Sequence, residues 1–278
     1  MRVREFVDAR TPRVARLYRT IRDSRNDYGA PVATPWGFAL RGDKDLADSR
    51  LESHEAQVFL DHLADADHTI DVGANVGLFT LLAASKGAPV TAVEPSQANV
   101  EVLCRNLHEN RLHAEVLPVA LSRQTGVGEL FGGGQGASLV RGWGGMQSTY
   151  SRLVPTCTLD GLFAKRFRNE RLLIKVDAEG AEPDILDGGL DLLQASPAPT
   201  WIVEIGLTEN FANGINPQFV ETFERFWSNG YQTHAVEANV SVTESEVREW
   251  AELGSRPFWT INYLFTKPRP AGSNHLNL

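Results

Sequence analysis

The most constraining feature of the chain is a glycine-containing segment at residues 71–77, which reads Asp-Val-Gly-Ala-Asn-Val-Gly. An apolar stretch typical of a buried parallel strand precedes it, and an apolar stretch with helical spacing begins after it at Leu78. Gly73 and Gly77 permit backbone angles that other residues avoid, and they let a ligand approach the main chain. The segment therefore predicts a strand, a tight turn and a helix whose N-terminus faces a ligand.

The next predicted strand indicates which ligand this is. It ends at Glu94, and a carboxylate at that point can accept both hydroxyl protons of a ribose diol. Asn75 stands where a dinucleotide-binding turn has its middle glycine, so the space for a pyrophosphate is reduced. An adenosine cofactor without phosphates fits better, and S-adenosylmethionine is the candidate. Asp71 and Glu94 together favour this interpretation over a turn that serves only for packing.

The composition is that of a soluble, enzyme-sized globular chain. A length of 278 residues can bury a full core, and a net charge of −8 gives no basic field, so we expect no nucleic-acid partner. Two cysteines, Cys104 and Cys157, argue against a disulfide scaffold and suit a reducing cytoplasm. The sequence has no apolar stretch that predicts a membrane span and no apolar core of a signal peptide. We expect a cytoplasmic protein, and homo-oligomerisation stays open.

Strand and helix signals alternate from about residue 52 onwards. We predict strands at 68–72, 89–94, 114–119, 172–176, 201–205, 231–236 and 259–266, and helices at 55–63, 77–86, 97–110, 185–193 and 217–229. This order predicts an α/β fold with a doubly wound, mostly parallel sheet of seven strands, with the last two as a candidate antiparallel edge. Residues 51–267 form the predicted catalytic domain. A helical extension at 1–50, with Thr11 as a helix cap, precedes it, and a flexible tail at 268–278 follows.

A second informative segment contains several acids. It reads Lys-Val-Asp-Ala-Glu-Gly-Ala-Glu at residues 175–182, and strand alternation puts Lys175 and Asp177 on the same side. Asp177 falls at the carboxyl end of the fourth strand, where ligands of such sheets bind. Glu204 lies near the end of the fifth strand, and an acid in an apolar strand is costly unless it is paired or functional. We therefore expect Asp177, Glu179 and Glu204 to converge.

An irregular stretch at 122–170 separates the third and fourth strands. It contains two glycine-rich runs, at 132–136 and 142–145, without the strand and helix context of a phosphate-binding loop. One interpretation is a flexible surface loop with no role in the reaction. The alternative is a substrate flap whose apolar contacts are Trp143 and Tyr150.

Taken together, these motifs resemble the FkbM family of S-adenosylmethionine-dependent methyltransferases. The resemblance rests on IDVGANVGLFTLLAASKG, VTAVEPS, PVALS, TCTLDGL, LLIKVDAEGAEPDILDGG and WIVEIG, in that order, over roughly residues 50–266. It implies a Rossmann-like class I methyltransferase sheet and, mostly, O-methylation of small molecules such as sugars or natural products. It also implies that Asp71, Gly73, Asn75 and Gly77 hold the methionine end and ribose, Glu94 the ribose diol, and Val119 and Ala120 the adenine. Asp177 and Glu179 would lie at the reaction centre, and Ser138 matches a serine without a defined role.

The sequence leaves the mechanism open in one respect. A hydroxyl acceptor must lose its proton, and Asp177 is the first candidate for the base, with His54 and His234 as further candidates. The alternative is a divalent ion such as Mg²⁺, held by Asp177 and Glu204 and polarising a pair of hydroxyls.

Two other functions also stay open at this point. One is an NAD-dependent oxidoreductase, against which Asn75 argues. The other is a catalytically silent binding protein with a cofactor-type fold, which would have no need of Asp177.

Overall fold

The computed structural model describes residues 30–42, 53–145, 151–211 and 214–268. In chain order, the first elements are β1 (Val32–Ala33), β2 (Ala39–Leu40), α1 (Ser53–Leu63), β3 (His68–Val72), α2 (Leu78–Ser85), β4 (Val90–Val93), α3 (Gln97–Asn110) and β5 (Glu115–Leu117). They are followed by β6 (Ala120–Leu121), β7 (Gly126–Phe131), β8 (Ser151–Cys157), α4 (Leu159–Phe163), β9 (Leu172–Val176), α5 (Glu182–Asp187) and α6 (Leu190–Leu193). The last are β10 (Thr200–Glu204), α7 (Phe219–Trp227), β11 (Gln232–Ala235), β12 (Val240–Val242), α8 (Glu244–Leu253) and β13 (Asn262–Thr266).

The central sheet has the strand order β12-β11-β13-β10-β9-β3-β4-β5. Strands β5, β4, β3, β9 and β10 run parallel to one another, whereas β13 runs antiparallel to both β10 and β11. The prediction of a doubly wound, mostly parallel α/β sheet is confirmed. The order reverses between β3 and β9, which creates a switch point where ligands bind.

The predicted number of seven strands is wrong, because the described part of the sheet has eight. The additional strand is β12, which pairs with β11 at the edge. Two of its three residues are exposed, so it lacks the apolar run by which the other strands could be recognised. The helix α8 was not among the predicted elements, although its start carries the Thr-x-x-Glu signature of a capping box, formed by Thr243 and Glu246.

Hydrophobic side chains pack on both faces of the sheet. On one face Phe226 stacks on Phe265 at 3.7 Å between ring centres, and on the other Phe59 meets Phe79 edge to face at 5.1 Å. Each fully buried side chain of this size contributes about 1.5–3 kcal/mol to stability. The sheet is therefore a rigid support for the loops at its carboxyl edge.

The helix predicted at 185–193 is interrupted and forms α5 and α6. A Cβ at Gly188 would lie 2.4 Å from the carbonyl oxygen of Ser122, so this glycine allows a close approach of two chain segments. The Asp160 carboxylate accepts hydrogen bonds from the amides of Asp191 and Leu192, at 2.8 and 3.0 Å, and caps α6.

The irregular stretch between β5 and β9 is more ordered than the sequence indicates. Strands β6, β8 and β7 form a separate three-stranded sheet, in which β8 is parallel to β6 and antiparallel to β7. We refer to residues 126–145, comprising β7 and the glycine-rich segment after it, as the insert.

The predicted N-terminal extension is described only at residues 30–42, where β1 and β2 pair antiparallel. This segment is tied to α3, because Asn106 and Asn110 accept hydrogen bonds from the amides of Arg41 and Ala39, both at 2.8 Å. The helix predicted after Thr11 and the tail beyond residue 268 lie outside the described residues. In the part of the chain that the structure describes, no helix has the length and apolar character needed to cross a membrane.

Candidate active site

A cleft opens at the carboxyl ends of β3, β4 and β9, at the switch point of the sheet. It encloses about 860 Å³ of unfilled space, part of which is open to solvent. The sequence-predicted residues that line it are Asp71, Gly73, Asn75, Glu94, Val119, Ala120, Asp177 and Glu179. The two motifs identified in the sequence, at residues 71–77 and 175–182, thus lie in one cleft.

Gly73 allows the two motifs to touch. Its φ is +78°, and a Cβ there would lie 1.7 Å from the carbonyl oxygen of Asp177. The Gly73 amide donates to the Val93 carbonyl at 2.9 Å, and the Asp177 amide donates to the Val72 carbonyl at 3.0 Å. The turn is therefore joined to the ends of both neighbouring strands.

Glu94 is buried at the base of the cleft. Its carboxylate accepts hydrogen bonds from the Asn75 amide at 2.9 Å, the Ser96 amide at 2.8 Å and the Asn99 side chain at 3.2 Å. Burial nevertheless raises the pKa of Glu94 to about 7, and these hydrogen bonds only partly oppose that shift. A carboxylate has about four acceptor positions, so Glu94 keeps capacity for a ligand hydroxyl.

Asn75 and Asp71 complete the turn. Asn75 has a φ of +51°, and its side-chain oxygen is buried without a hydrogen-bond partner. Such an atom is costly unless a ligand donor satisfies it. Asp71 lies deeper, where its carboxylate accepts from the Thr80 hydroxyl at 2.6 Å, and burial raises its pKa.

Gly77 lies outside the cleft wall. A Cβ there would lie 2.1 Å from a methyl carbon of Leu103, and its φ is +99°. This glycine therefore allows α2 to start close to α3. Gly77 is predicted from the family resemblance to hold the cofactor, and that role stays a prediction; in the structure its close contacts are those of helix packing.

Lys175 is the buried cation of the site, with 3% of its side chain exposed. Its ammonium lies 2.9 Å from Asp177 and 3.1 Å from the Glu55 carboxylate, and 4.5 Å above the centre of the Phe79 ring. Burial would lower the pKa of Lys175, but its acidic neighbours raise it well above its usual value, so the side chain stays charged. The predicted placement of Lys175 and Asp177 on one side is thus observed as a direct ion pair.

Glu179 is held by the insert. The Trp143 indole donates to the Glu179 carboxylate at 2.6 Å, and the Ser138 hydroxyl donates to the Glu179 backbone carbonyl at 2.6 Å. Burial and the negative charge of Asp177 raise the pKa of Glu179 to about 7. This carboxyl therefore titrates near neutral pH inside the cleft.

Two further acids surround this group. Glu182 accepts from the amides of Ala178 and Gly180, at 2.8 and 3.2 Å, and burial raises its pKa to about 7. Glu204, at the end of β10, is outside the cleft wall, and burial together with nearby acids raises its pKa well above its usual value. Asp177, Glu179 and Glu204 are thus electrostatic neighbours, although Glu204 does not line the cleft.

The structure offers no direct support for the predicted divalent-ion site. Among the described residues, no three His, Cys, Asp or Glu side chains are grouped so that they could hold a metal ion.

The histidine candidates lie elsewhere. His54 is exposed on α1, while the adjacent Glu55 is the residue that points inward to Lys175. His234 is on β11 near the far edge of the sheet and contacts Asn239 at 3.0 Å. Neither lines the cleft.

Several residues of the site were not anticipated from the sequence. The insert supplies three apolar side chains to the cleft wall, those of Leu130, Ala137 and Leu139. Asn99 connects the insert to Glu94, because it donates both to the Glu94 carboxylate and to the Gly134 carbonyl, each at 3.2 Å. Its burial in the first turn of α3 is a consequence of tertiary contacts that periodicity does not show.

Solved structures with a similar fold include several methyltransferases. A precorrin-6y C5,15-methyltransferase from Geobacter metallireducens matches 71% of this chain and 79% of its own, at 13% identity and a TM-score of 0.40. A TehB-like S-adenosylmethionine-dependent methyltransferase from Corynebacterium glutamicum matches 77% and 88%, at 13% and 0.40. A putative O-methyltransferase from Klebsiella pneumoniae matches 77% and 79%, at 13% and 0.42.

No curated protein matches the chain. The family model described as the methyltransferase FkbM domain matches residues 71–233, which span more than half of the chain and include both motifs of the cleft. The chain therefore belongs to the FkbM methyltransferase family.

Proposed function

We propose that the protein transfers a methyl group from S-adenosylmethionine to a hydroxyl of a small molecule. The observation that carries the proposal is that Glu94 and Glu179 line the same cleft. Glu94 is placed to accept from ribose hydroxyls, and Glu179, whose pKa is raised to about 7, is placed to accept a proton. A hydroxyl acceptor needs both a bound methyl donor and a group that takes its proton.

The cofactor residues follow from the contacts of the turn. Glu94 would accept from the ribose hydroxyls, and the unpartnered oxygen of Asn75 would accept from a donor on the cofactor. Gly73 has no side chain, so the cofactor can approach the backbone closely at this position. Val119 and Ala120 would form an apolar border for adenine. The donor set fits the group, because it combines ribose acceptors, an apolar wall and no phosphate cradle.

The proton acceptor is best assigned to Glu179. Asp177, the first candidate from the sequence, is directly paired with the Lys175 ammonium at 2.9 Å, so its carboxylate is already engaged in the ion pair. Among the described residues no cation pairs directly with Glu179, and burial raises its pKa to about 7. When bound, the cofactor supplies an electrophilic methyl group. Asp177 and Lys175 would then orient the acceptor, and correct positioning can contribute about 7–11 kcal/mol.

The acceptor class is proposed from the cleft wall. Apolar side chains at Leu130, Ala137 and Leu139 border it on one side, and several acids border it on the other. This combination suits a neutral, hydroxylated molecule with an apolar part, such as a sugar derivative or a natural product, better than a polyanion. The net charge of −8 also disfavours binding of a polyanion.

Two measurements test this proposal. S-adenosylhomocysteine should raise the melting temperature whereas NAD should not, and Glu94→Gln should weaken cofactor binding by about tenfold or more, because charge-assisted hydrogen bonds contribute about 1.5–3 kcal/mol. Mass spectrometry against a library of hydroxylated metabolites should then find products heavier by one methylene. Stabilisation by NAD alone, or methylation confined to nitrogen or carbon acceptors, would overturn it.

A further inference from the structure

Trp143 is the point where the insert contacts the reaction side of the cleft. Its ring is buried, and its only side-chain donor, the indole N–H, is directed at the Glu179 carboxylate at 2.6 Å. This distance is short for a nitrogen donor, as expected for a charge-assisted hydrogen bond. A buried tryptophan in a glycine-rich segment thus has one specific polar contact, and that contact is with the proposed proton acceptor.

The backbone around Glu179 is shaped to receive this ring. Glu179 has a φ of +53° and Gly180 a φ of +91°, and a Cβ at position 180 would lie 2.3 Å from the Trp143 ring. Only glycine leaves room for the indole at that position. The left-handed conformation of Glu179 itself is unfavourable for a residue with a side chain, so it persists because its surroundings impose it.

The insert is fixed on its outer side as well. Phe211 meets Trp143 edge to face at 5.0 Å between ring centres, and the Gly144 amide donates to the Asn210 carbonyl at 3.0 Å. The indole is therefore held between the 177–180 turn on one side and the loop after β10 on the other. Its N–H has little freedom to leave Glu179.

The charges around Glu179 explain why such a contact is needed. Asp177 and Glu94 raise its pKa, whereas Lys175 and the Trp143 hydrogen bond lower it, and Glu179 in turn raises the pKa of Glu204. A mobile Glu179 carboxylate would be drawn towards the Lys175 ammonium and repelled by the neighbouring acids. A fixed donor keeps it in one orientation.

We propose that Trp143 is a positioning residue, which holds the Glu179 carboxylate facing the acceptor hydroxyl. This inference rests on the proposed function, since it assumes that Glu179 takes the proton. It makes the insert part of the reaction centre and not only a cover over it. The direct contact is with Glu179, and Trp143 acts through that residue.

The contact is tested without turnover by the indole resonances of ¹⁵N-tryptophan-labelled protein. The chain has six tryptophans, and the signal missing in Trp143→Phe identifies Trp143. In Glu179→Gln that signal should move upfield, because a hydrogen bond to a neutral amide is weaker than one to a carboxylate. An unchanged Trp143 signal in Glu179→Gln would overturn the proposal.

The role in the reaction is tested by a double-mutant cycle on kcat. Trp143→Phe keeps the ring packing but removes the donor, and kcat should fall by about tenfold while KM for the cofactor stays within about twofold. In the Glu179→Gln background, the same change should alter kcat by less than about twofold, because Trp143 acts only through Glu179. An equal loss in both backgrounds would mean a purely structural role and overturn the proposal.

A matched control is available at Trp227, whose indole donates to the Thr233 hydroxyl at 2.8 Å, away from the cleft. Trp227→Phe removes a comparable hydrogen bond and should leave kcat unchanged, and a loss equal to that of Trp143→Phe would count against the proposal. The cycle is measured on whichever acceptor the enzyme methylates. A nitrogen or carbon acceptor would therefore overturn the proposed function, while the cycle would still decide the role of Trp143.

Discussion

The carbonyl oxygen of Asp177 occupies the space where a side chain at Gly73 would begin, with 1.7 Å between that oxygen and a Cβ built at position 73. The turn after β3 and the end of β9 are thus packed backbone to backbone. Residues far apart in the sequence form one structure, in which the turn at residues 73–77 limits where Asp177 can lie. A substitution in one motif should therefore change the conformation of the other.

Gly73→Ala tests this close approach. The added methyl group meets backbone, which cannot move away cheaply, so we expect both lower stability and loss of S-adenosylhomocysteine binding in calorimetry. Gly87→Ala is the matched control, because Gly87 has a similar φ of +76° but nothing within 4 Å of the added carbon. It carries only the cost of a left-handed alanine, about 1–2 kcal/mol. Equal effects of the two substitutions would show that backbone conformation, and not the contact with Asp177, limits position 73.

Sequence reasoning was most successful where periodicity and position on a strand carry the information. The bounds of α3 agree with the prediction. Of the eight predicted site residues that line the cleft, six lie in the segments 71–94 and 175–182. Asp177 and Glu179 could be placed at the cleft because the carboxyl ends of parallel strands meet at one edge.

The parts that could not be predicted depend on tertiary contacts. The indole of Trp143 donates to Glu179, which is far from it in the sequence. Glu55, on α1, contacts Lys175, whereas the residue of α1 proposed from the sequence as a base was the adjacent His54. A side chain at position 77 would collide with Leu103, and the position of Gly77 in the motif does not reveal this contact. Chemistry-bearing residue types can be recognised in a sequence, but their partners are set by the packing of distant segments.

Asn75→Gly separates binding from stability at the turn. Asn75 has a φ of +51°, which glycine adopts without strain, and its side-chain oxygen is buried without a partner. Removing the side chain should therefore leave the melting temperature of the free protein equal or higher. Affinity for S-adenosylhomocysteine should fall several-fold, because a ligand donor loses its acceptor. Unchanged affinity in calorimetry would remove the Asn75 oxygen from cofactor recognition.

The buried acids predict how stability depends on pH. The pKa values of Glu94, Glu179 and Glu182 are each raised to about 7, so the folded protein holds these protons more tightly than the unfolded chain. Their stabilisation is complete below the unfolded value near 4.5 and is lost as pH rises towards 7. His68, whose pKa is lowered by burial, acts in the opposite direction in part of this range, whereas Asp71, Asp160 and Glu204, whose pKa values are also raised by burial, add to the effect of the three acids.

The measurement is a urea unfolding midpoint at about pH 5.5 and about pH 7.5, which lie on either side of the main change. We expect the free protein to be more stable at the lower pH, and Glu94→Gln to reduce the difference. Acids with lowered pKa values, such as Asp67 and Glu115, matter only at more acidic pH. A midpoint that rises towards pH 7.5 would show that the three carboxyls do not hold their protons in the folded state.

Lys175→Met tests whether the buried ammonium holds the reaction side of the cleft together. Methionine keeps the apolar contact with the Phe79 ring but removes the ammonium that contacts Glu55 and Asp177, whose side chains are 5% and 34% exposed. Removing one partner of a buried ion pair costs about 3–5 kcal/mol, so the urea midpoint should fall clearly. Arg171→Ala is the control, since Arg171 and Asp67 are 2.6 Å apart but largely exposed, and its effect should be much smaller. Combining Lys175→Met with Glu55→Gln should restore part of the stability, because one of the two acids that contact Lys175 is then replaced by a neutral amide. A Lys175→Met protein as stable as wild type would show that the contacts of Lys175 with Asp177 and Glu55 do not stabilise the fold.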